Sequence, residues 1–174
     1  PFSDDAGRTV LFADDFSEGI ARHWEPTDPA AWAVMVDGEE SVYALNKVSE
    51  YEPPVRSPHS YSLIRDVTPA SFEMQVLLKS TGRQGDNHRD LCLFFGDQDP
   101  AHYYYVHLGA AADENAHGVF IVDGAPRRNI TESGTEGAPW DDAYHEVRLV
   151  RVGDSISVFW DDRPSPILTA SDNT

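Results

Sequence analysis

The chain has 174 residues, 40% hydrophobic and 11% aromatic, which is enough for one domain with a full core and too apolar for a disordered segment. Thirty acidic residues against 13 basic ones leave a net charge of −17, so phosphate backbones and anionic lipid are repelled and make poor partners. No apolar run approaches a membrane span, and the single cysteine, Cys92, excludes an internal disulfide.

Period two dominates from the start, the mark of strands with one buried face. "TVLFADDF" (9–16) opens the series and a turn-like "SEGIARHWEPTDPAA" follows. "WAVMVDGEESVYAL" predicts two strands around the tight-turn pair Asp37-Gly38. "SEYEPPVRSPHS" carries three prolines in twelve residues and is a long loop, a place where sites are often bordered. "YSLIRD" and "SFEMQVLLKS" are the next strands; in the second, Phe72, Met74, Val76 and Leu78 share one side. A flexible "TGRQGDN" leads into the hairpin "HRDLCLFFGDQDPAHYYYVHLG" (88–109). "HGVFIVDG", "RRNIT", "HEVRLVRVGDSISVFWDD" and "PILTAS" supply the remaining strands, with a turn at Gly153-Asp154. The stretch "PAHYYYVHLGAAADENA" is the weakest helix candidate and is read as strand, then loop, because β-prone tyrosines crowd it. No segment holds a 3.6-residue stripe. About ten to thirteen short strands with polar turns predict an all-β fold, an antiparallel β-sandwich or jelly roll.

Several of these stretches together carry a resemblance. "LFADDFSEGIARHWEP…AWAVMVDGEESVYAL", "SFEMQVLLKS", "DLCLFFGDQDPAHYYYVHLG" and "WDDAYHEVRLVRVGDSISVFWDD" resemble the strands of concanavalin-A-like jelly rolls. Among these the chain is similar to bacterial domains of the 3-keto-disaccharide hydrolase type, often labelled family-16-glycoside-hydrolase-like, and more distantly to laminin-G-like modules. The resemblance covers nearly the whole chain as a pattern of strands. It implies one sandwich over 1–174 with a concave sheet that receives a glycan. The E-x-D-x-x-E strand of the true family-16 glucanases is absent, so their two-carboxylate mechanism does not carry over. The sequence stops at "TASDNT", before the last "G-x-V-G-x-x-S" strand common in such folds, so the domain is expected either to be truncated or to close differently.

The hairpin at 88–109 holds the densest chemistry. With "GDQDPA" as its turn and Phe95 facing His102, Phe94 falls opposite Tyr103, Cys92 opposite Tyr105 and Asp90 opposite His107, all six on one face. Leu91, Leu93, Phe95, Tyr104, Val106 and Leu108 form the more apolar face and are expected inside the sandwich. The first face offers rings to stack on pyranose C–H groups and polar groups to read hydroxyls. It is equally compatible with an ordinary cross-strand Asp–His pair on a solvated sheet. Asp90 across from His107 also suits a general base, with Tyr105 as an acid and Arg89 or Arg56 neutralising a uronate carboxyl.

His88, His102, His107 and His117 lie within thirty residues, yet no metal-ligand spacing such as H-E-x-x-H links them. His88, Arg89 and His117 are placed at the margin of the ligand face, with Tyr103 on it and Trp140 at a loop rim. Arg56, Arg65, Arg83, Arg89, Arg127 and Arg128 sit in or beside loops and could form a local patch for an acidic sugar. Among the Asp-Asp pairs, Asp14 and Asp15 are the natural donors for a structural calcium, with Asp141 and Asp142 next; the calcium loop D-x-D-x-D-G is absent. Cys92 lacks a base in sequence and is not a nucleophile.

These readings predict a domain of a secreted or periplasmic bacterial protein, its signal peptide not in this chain, that binds an oligo- or polysaccharide on its concave sheet. Catalytic roles fall to His107, Tyr105, Asp90 and Arg89 if it is instead a polysaccharide lyase or glycoside hydrolase. A calcium-dependent adhesion module, working through loop carboxylates, is the third possibility.

Overall fold

A computed structural model describes residues 2–3, 7–86 and 89–174. Among them there is no helix, and fifteen strands pair antiparallel. The protein is an all-β sandwich. Among the described residues no helix is long and apolar enough to cross a membrane. The chain divides into two compact units, one from residues up to Pro53 with Pro58–Thr68, the other from Pro54–Ser57 with Pro69–Thr174.

The first unit holds three two-stranded ribbons. These are β1 (Phe2–Ser3) with β2 (Thr9–Val10), β3 (Trp24–Pro26) with β6 (Ser62–Ile64), and β4 (Trp32–Asp37) with β5 (Glu40–Leu45). The expected hairpin at Asp37-Gly38 is present, with Asp37 paired to Glu40 and Gly38 at φ +67°, a value that favours glycine. The expected long strand 9–16 shrinks to two residues, because Asp14 and Asp15 turn the chain by accepting from the Phe16 and Ser17 N–H groups. Two-stranded ribbons are marginal alone, and aromatic packing ties the second and third together. Tyr43 lies 4.9 Å from Trp32, 5.5 Å from Trp24 and 5.7 Å from Phe16.

The second unit is the sandwich proper. One sheet runs β11-β10-β9-β8, from β8 (Asp90–Asp99), β9 (His102–Gly109), β10 (Gly118–Asp123) and β11 (Arg128–Asn129). The other runs β12-β15-β14-β13-β7, from β7 (Phe72–Leu78), β12 (Thr131–Gly134), β13 (His145–Val152), β14 (Ser155–Trp160) and β15 (Leu168–Ser171). Period two decides what faces inward. Leu93, Phe95, Tyr104, Val106, Leu108, Val119 and Ile121 of the first sheet meet Val147, Leu149, Ile156, Val158, Trp160 and Leu168 of the second in one core. Phe72, Met74, Val76 and Leu78 pack against it as their alternation predicts. Burial of each such aliphatic side chain contributes about 1.5–3 kcal/mol. At the edge of this core His145 is held between Asp161 (3.0 Å) and Asp141 (3.1 Å), with its ring 4.6 Å from that of Trp160.

The hairpin corrects the predicted register by two residues. Asp90 pairs with Gly109, Cys92 with His107, Phe94 with Tyr105 and Phe95 with Tyr104. β8 continues to Asp99, which pairs with His102 across a two-residue turn, and an irregularity between Phe95 and Asp99 absorbs the extra residues. Gly96, at φ +61°, sits in that irregularity. A shift of two leaves each side chain on its own face. The division into two faces therefore stands although the pairs change.

The loop before Trp140 runs close against the one after β9. Ala112 N–H donates to Glu136 O and Ala138 N–H to Gly109 O, both at 2.8 Å. A Cβ at Gly137 would lie 2.2 Å from the Ala110 carbonyl oxygen. Gly137→Ala is therefore expected to lower the melting temperature by about 5 °C or more, as overpacking against backbone does; scanning calorimetry on both proteins checks it.

Candidate functional site

β9 and β10 are buried along almost their whole length on both faces, the pattern of strands covered on either side. On the face away from the sandwich core, Tyr103, Tyr105, Phe120 and Val122 form a second cluster, packed by Val55, Cys92 and Phe94. The Tyr105 and Phe120 rings stack 5.1 Å apart at 9°. Tyr103 is 2% exposed and Tyr105 is fully buried. The ring-bearing wall expected to face a ligand is thus interior, since every second residue of β9 and β10 is apolar or aromatic on this side too.

Polar chemistry collects instead at the end of this sheet where β9 finishes and β10 begins. Asn115, in the loop between them, is its centre. The loop is shaped locally, with Asp113 Oδ1 accepting from the Asn115 N–H at 2.6 Å and Asp113 bridged to Ala116. His107 Nδ1 lies 3.2 Å from the Asn115 carbonyl oxygen, and the Arg127 guanidinium donates to the same oxygen at 3.1 Å. Arg56 donates to Asn115 Oδ1 at 3.3 Å, while Glu114 accepts from the Asn115 amide at 3.2 Å. The Arg127 guanidinium also lies over the Phe120 ring, 5.5 Å from its centre. Arg56 and Arg127 are tied by their backbones, Arg127 N–H donating to Arg56 O at 3.0 Å.

Asp90 and His107 do meet. Nε2 of His107 lies 2.9 Å from Asp90 Oδ2, reaching diagonally because Cys92 is its direct partner. Both oxygens facing this ring, the carboxylate and the Asn115 carbonyl, can only accept. A neutral ring serves one of them at a time and an imidazolium both. Asp90, His107, Asn115, Arg56 and Arg127 thus make one rim.

Burial pushes the Tyr105 phenol well up, with the Arg127 charge opposing, so it stays protonated at neutral pH. Burial likewise pushes up the Cys92 thiol, with Asp90 adding to the rise. Neither acts as a base or nucleophile in those states.

Other expected residues lie elsewhere. Arg89 is 2% exposed, and its guanidinium donates to Ser80 O at 2.8 Å, Asp142 Oδ1 at 2.9 Å and Asp141 O. It ties two loops together and has no open path to a ligand. Trp140, expected at a loop rim, packs edge-to-face on Trp160 at 4.7 Å and donates its indole N–H to Leu108 O at 2.8 Å. Tyr103 is interior, as above, and His88 lies outside the described residues. Asp14 and Asp15 belong to the first unit. Asp14 caps Phe16 and accepts the Trp24 indole N–H at 3.0 Å, and Asp15 accepts from Ser17 at 3.0 Å. Among the described residues no three His, Cys, Asp or Glu side chains converge as metal ligands would. In the sequence, the turn signature of "DEN" is the one signal that points to Asn115.

No family model and no curated protein matches the sequence. The fold does have a counterpart. The chain is similar to the carbohydrate-binding module CBM66 from Bacillus subtilis, with a TM-score of 0.59 at 16% identity, over 87% of this chain and 81% of that one.

His117 joins β10 to this loop at φ +50°, 4% exposed, with Nε2 2.9 Å from Thr135 Oγ1. Burial first, then the His107 charge, lowers its pKa from 6.5 to about 4. Between those two values the unfolded chain binds the extra proton, so stability rises with pH across the window. The contribution is present above about pH 6.5 and lost as pH falls through about 4. It amounts to about 3 kcal/mol. His117→Asn, which tolerates the positive φ, is expected to flatten the fall in melting temperature between pH 7 and 4 relative to the wild type. Parallel thermal scans at stepped pH check it.

Proposed function

We propose that this chain is a non-catalytic carbohydrate-recognition domain whose ligand meets the rim of Asp90, His107, Asn115, Arg56 and Arg127. The observation that carries the reading is the convergence of two guanidinium groups and an imidazole on the single residue Asn115, with the Asp90 carboxylate on the far side of the imidazole. Sugar hydroxyls need such a mixture of fixed donors and acceptors. The likeness of the fold to a carbohydrate-binding module supports the same class of ligand. The placement of Tyr105 and Arg89 removes these two side chains from the lyase and hydrolase readings, which would then rest on His107 and Arg56. Each needs a group that can reach and exchange a proton with substrate or neutralise its charge, and both side chains are enclosed.

Calorimetric titration with a panel of neutral and uronate-containing oligosaccharides tests the proposal, with mass spectrometry of the sugars afterwards. The expected outcome is saturable binding with the glycans recovered intact. Arg127→Ala and Asp90→Asn should each weaken binding by about tenfold or more, the loss typical of hydrogen bonds to charged groups. Far-UV dichroism establishes that the variants are folded. Absence of binding across the panel, or unchanged affinity in both folded variants, overturns the assignment.

A further inference from the structure

At the opposite end of β9 and β10 lies a second polar constellation, outside the rim just described. A shallow recess, with room of about 30 Å³ for water-sized polar groups, is bounded there by Gly96, Gln98, His102, Tyr103, Val122 and Asp123. The His102 ring is fixed from one side. Nδ1 lies 2.8 and 2.9 Å from the two Asp99 oxygens, and since a carboxylate can only accept, Nδ1 carries the hydrogen. The Asp99 carboxyl is held below the usual range, first by the Ala101 N–H and then by His102. Nε2 is consequently left to face outward toward Asp123 Oδ1, which stands 3.8 Å away.

That separation is too long for a direct hydrogen bond, which ends near about 3.5 Å, and short enough for small polar groups to engage both atoms at once. Space is kept open beside the ring by Gly124. Its φ of +65° admits few other residues, and a Cβ there would lie 3.4 Å from Nε2. Asp123 is 67% exposed and His102 41% exposed at the side chain, so both are accessible from solvent. The bulge at Gly96 and the two-residue turn at Pro100-Ala101, which shifted the hairpin register, are what bring His102 and Asp99 together here.

We propose that this recess is a second saccharide subsite, in which two hydroxyls on adjacent carbons of one sugar residue are held, one by His102 Nε2 and its neighbour by Asp123 Oδ1. A hydroxyl donates to the carboxylate; its neighbour donates to Nε2 when that nitrogen is unprotonated and accepts when it bears a hydrogen. Gln98, on the recess wall, supplies an amide for a third hydroxyl. That the diol belongs to a saccharide rests on the carbohydrate-binding reading above.

Two-dimensional ¹⁵N–¹H spectra of the labelled chain test it, with D-glucose, D-galactose, D-mannose and D-fructose added to high millimolar concentration. The control is 1,3-propanediol, which lacks adjacent hydroxyls. At least one sugar is expected to shift the Gln98, His102, Asp123 and Gly124 amides saturably, whereas the propanediol leaves them in place. His102→Ala and Asp123→Asn, both at exposed positions, should weaken that response by about tenfold or more and leave the shifts around Asn115 and Arg127 as in the wild type. Shifts confined to the Asn115 end, or a response at Gln98 and Asp123 indifferent to both substitutions, overturn the second subsite alone. Silence at both ends overturns it together with the carbohydrate-binding reading.

Discussion

Burial of β9 and β10 on both faces is the constraint from which the rest of the second unit follows. One set of their side chains interlocks with the five-stranded sheet, and the other, Tyr103, Tyr105, Phe120 and Val122, closes on itself with Val55, Cys92 and Phe94. Their backbone groups are consumed in the ladders with β8 and β11. A polar side chain in the middle of such strands would leave desolvated groups without partners. Charged groups and imidazoles are therefore displaced to the strand ends, His107 at one and His102 at the other, and the phenols of the tyrosines are the polar side-chain groups the middle of β9 retains. They are five positions apart, roughly 17 Å along a strand, so the two clusters are far enough apart to act independently.

The charge distribution narrows what those ends can receive. With a net charge of −17, the surface discourages the approach of polyanions and leaves neutral ligands unaffected. Three arginines lie over ring faces. Arg148 lies 4.1 Å from the centre of Phe159, Arg151 4.8 Å from that of Tyr104, and Arg127 5.5 Å from that of Phe120. A guanidinium parked on a ring retains in-plane N–H donors at low entropic cost. That arrangement suits hydroxyl recognition, in which direction matters more than charge.

Much of the architecture was legible from alternation alone. Phe72 to Leu78 and the 91–108 hairpin fell on the expected faces, and the turns at Gly38 and Gly153 sit where Asp-Gly and Gly-Asp pairs placed them. What alternation does not encode is how many residues a bulge absorbs. The stretch from Gly96 to Asp99 hid a two-residue shift that changed which residues face each other and so made the Asp90–His107 contact diagonal. Nor does it say whether a half-polar face is wet. Tyr103 and Tyr105 read as surface rings because phenols tolerate water, yet stacking on Phe94 and Phe120 buries them. Arg89 and Trp140 looked accessible because they flank loops, and both turned inward to satisfy carbonyl groups left at the loop ends.

The two ends of β9 also differ in how completely they are tied, and this bears on recognition. At the Asn115 end the loop and its surrounding side chains hold one another. The Asn115 carbonyl takes His107 and Arg127, its amide oxygen takes Arg56, and Asp113 fixes the backbone. Side chains ordered before contact lose little further entropy on binding, so their hydrogen bonds count more fully toward affinity. At the other end only one side of His102 is fixed, by Asp99, and Nε2 remains 3.8 Å from Asp123. A ligand there must complete the arrangement itself and order an exposed carboxylate as it does so. On the proposed carbohydrate-binding reading, the preorganised rim dominates affinity and the looser clamp adds contact with a further sugar residue, a division that one sheet enforces by keeping its middle dry.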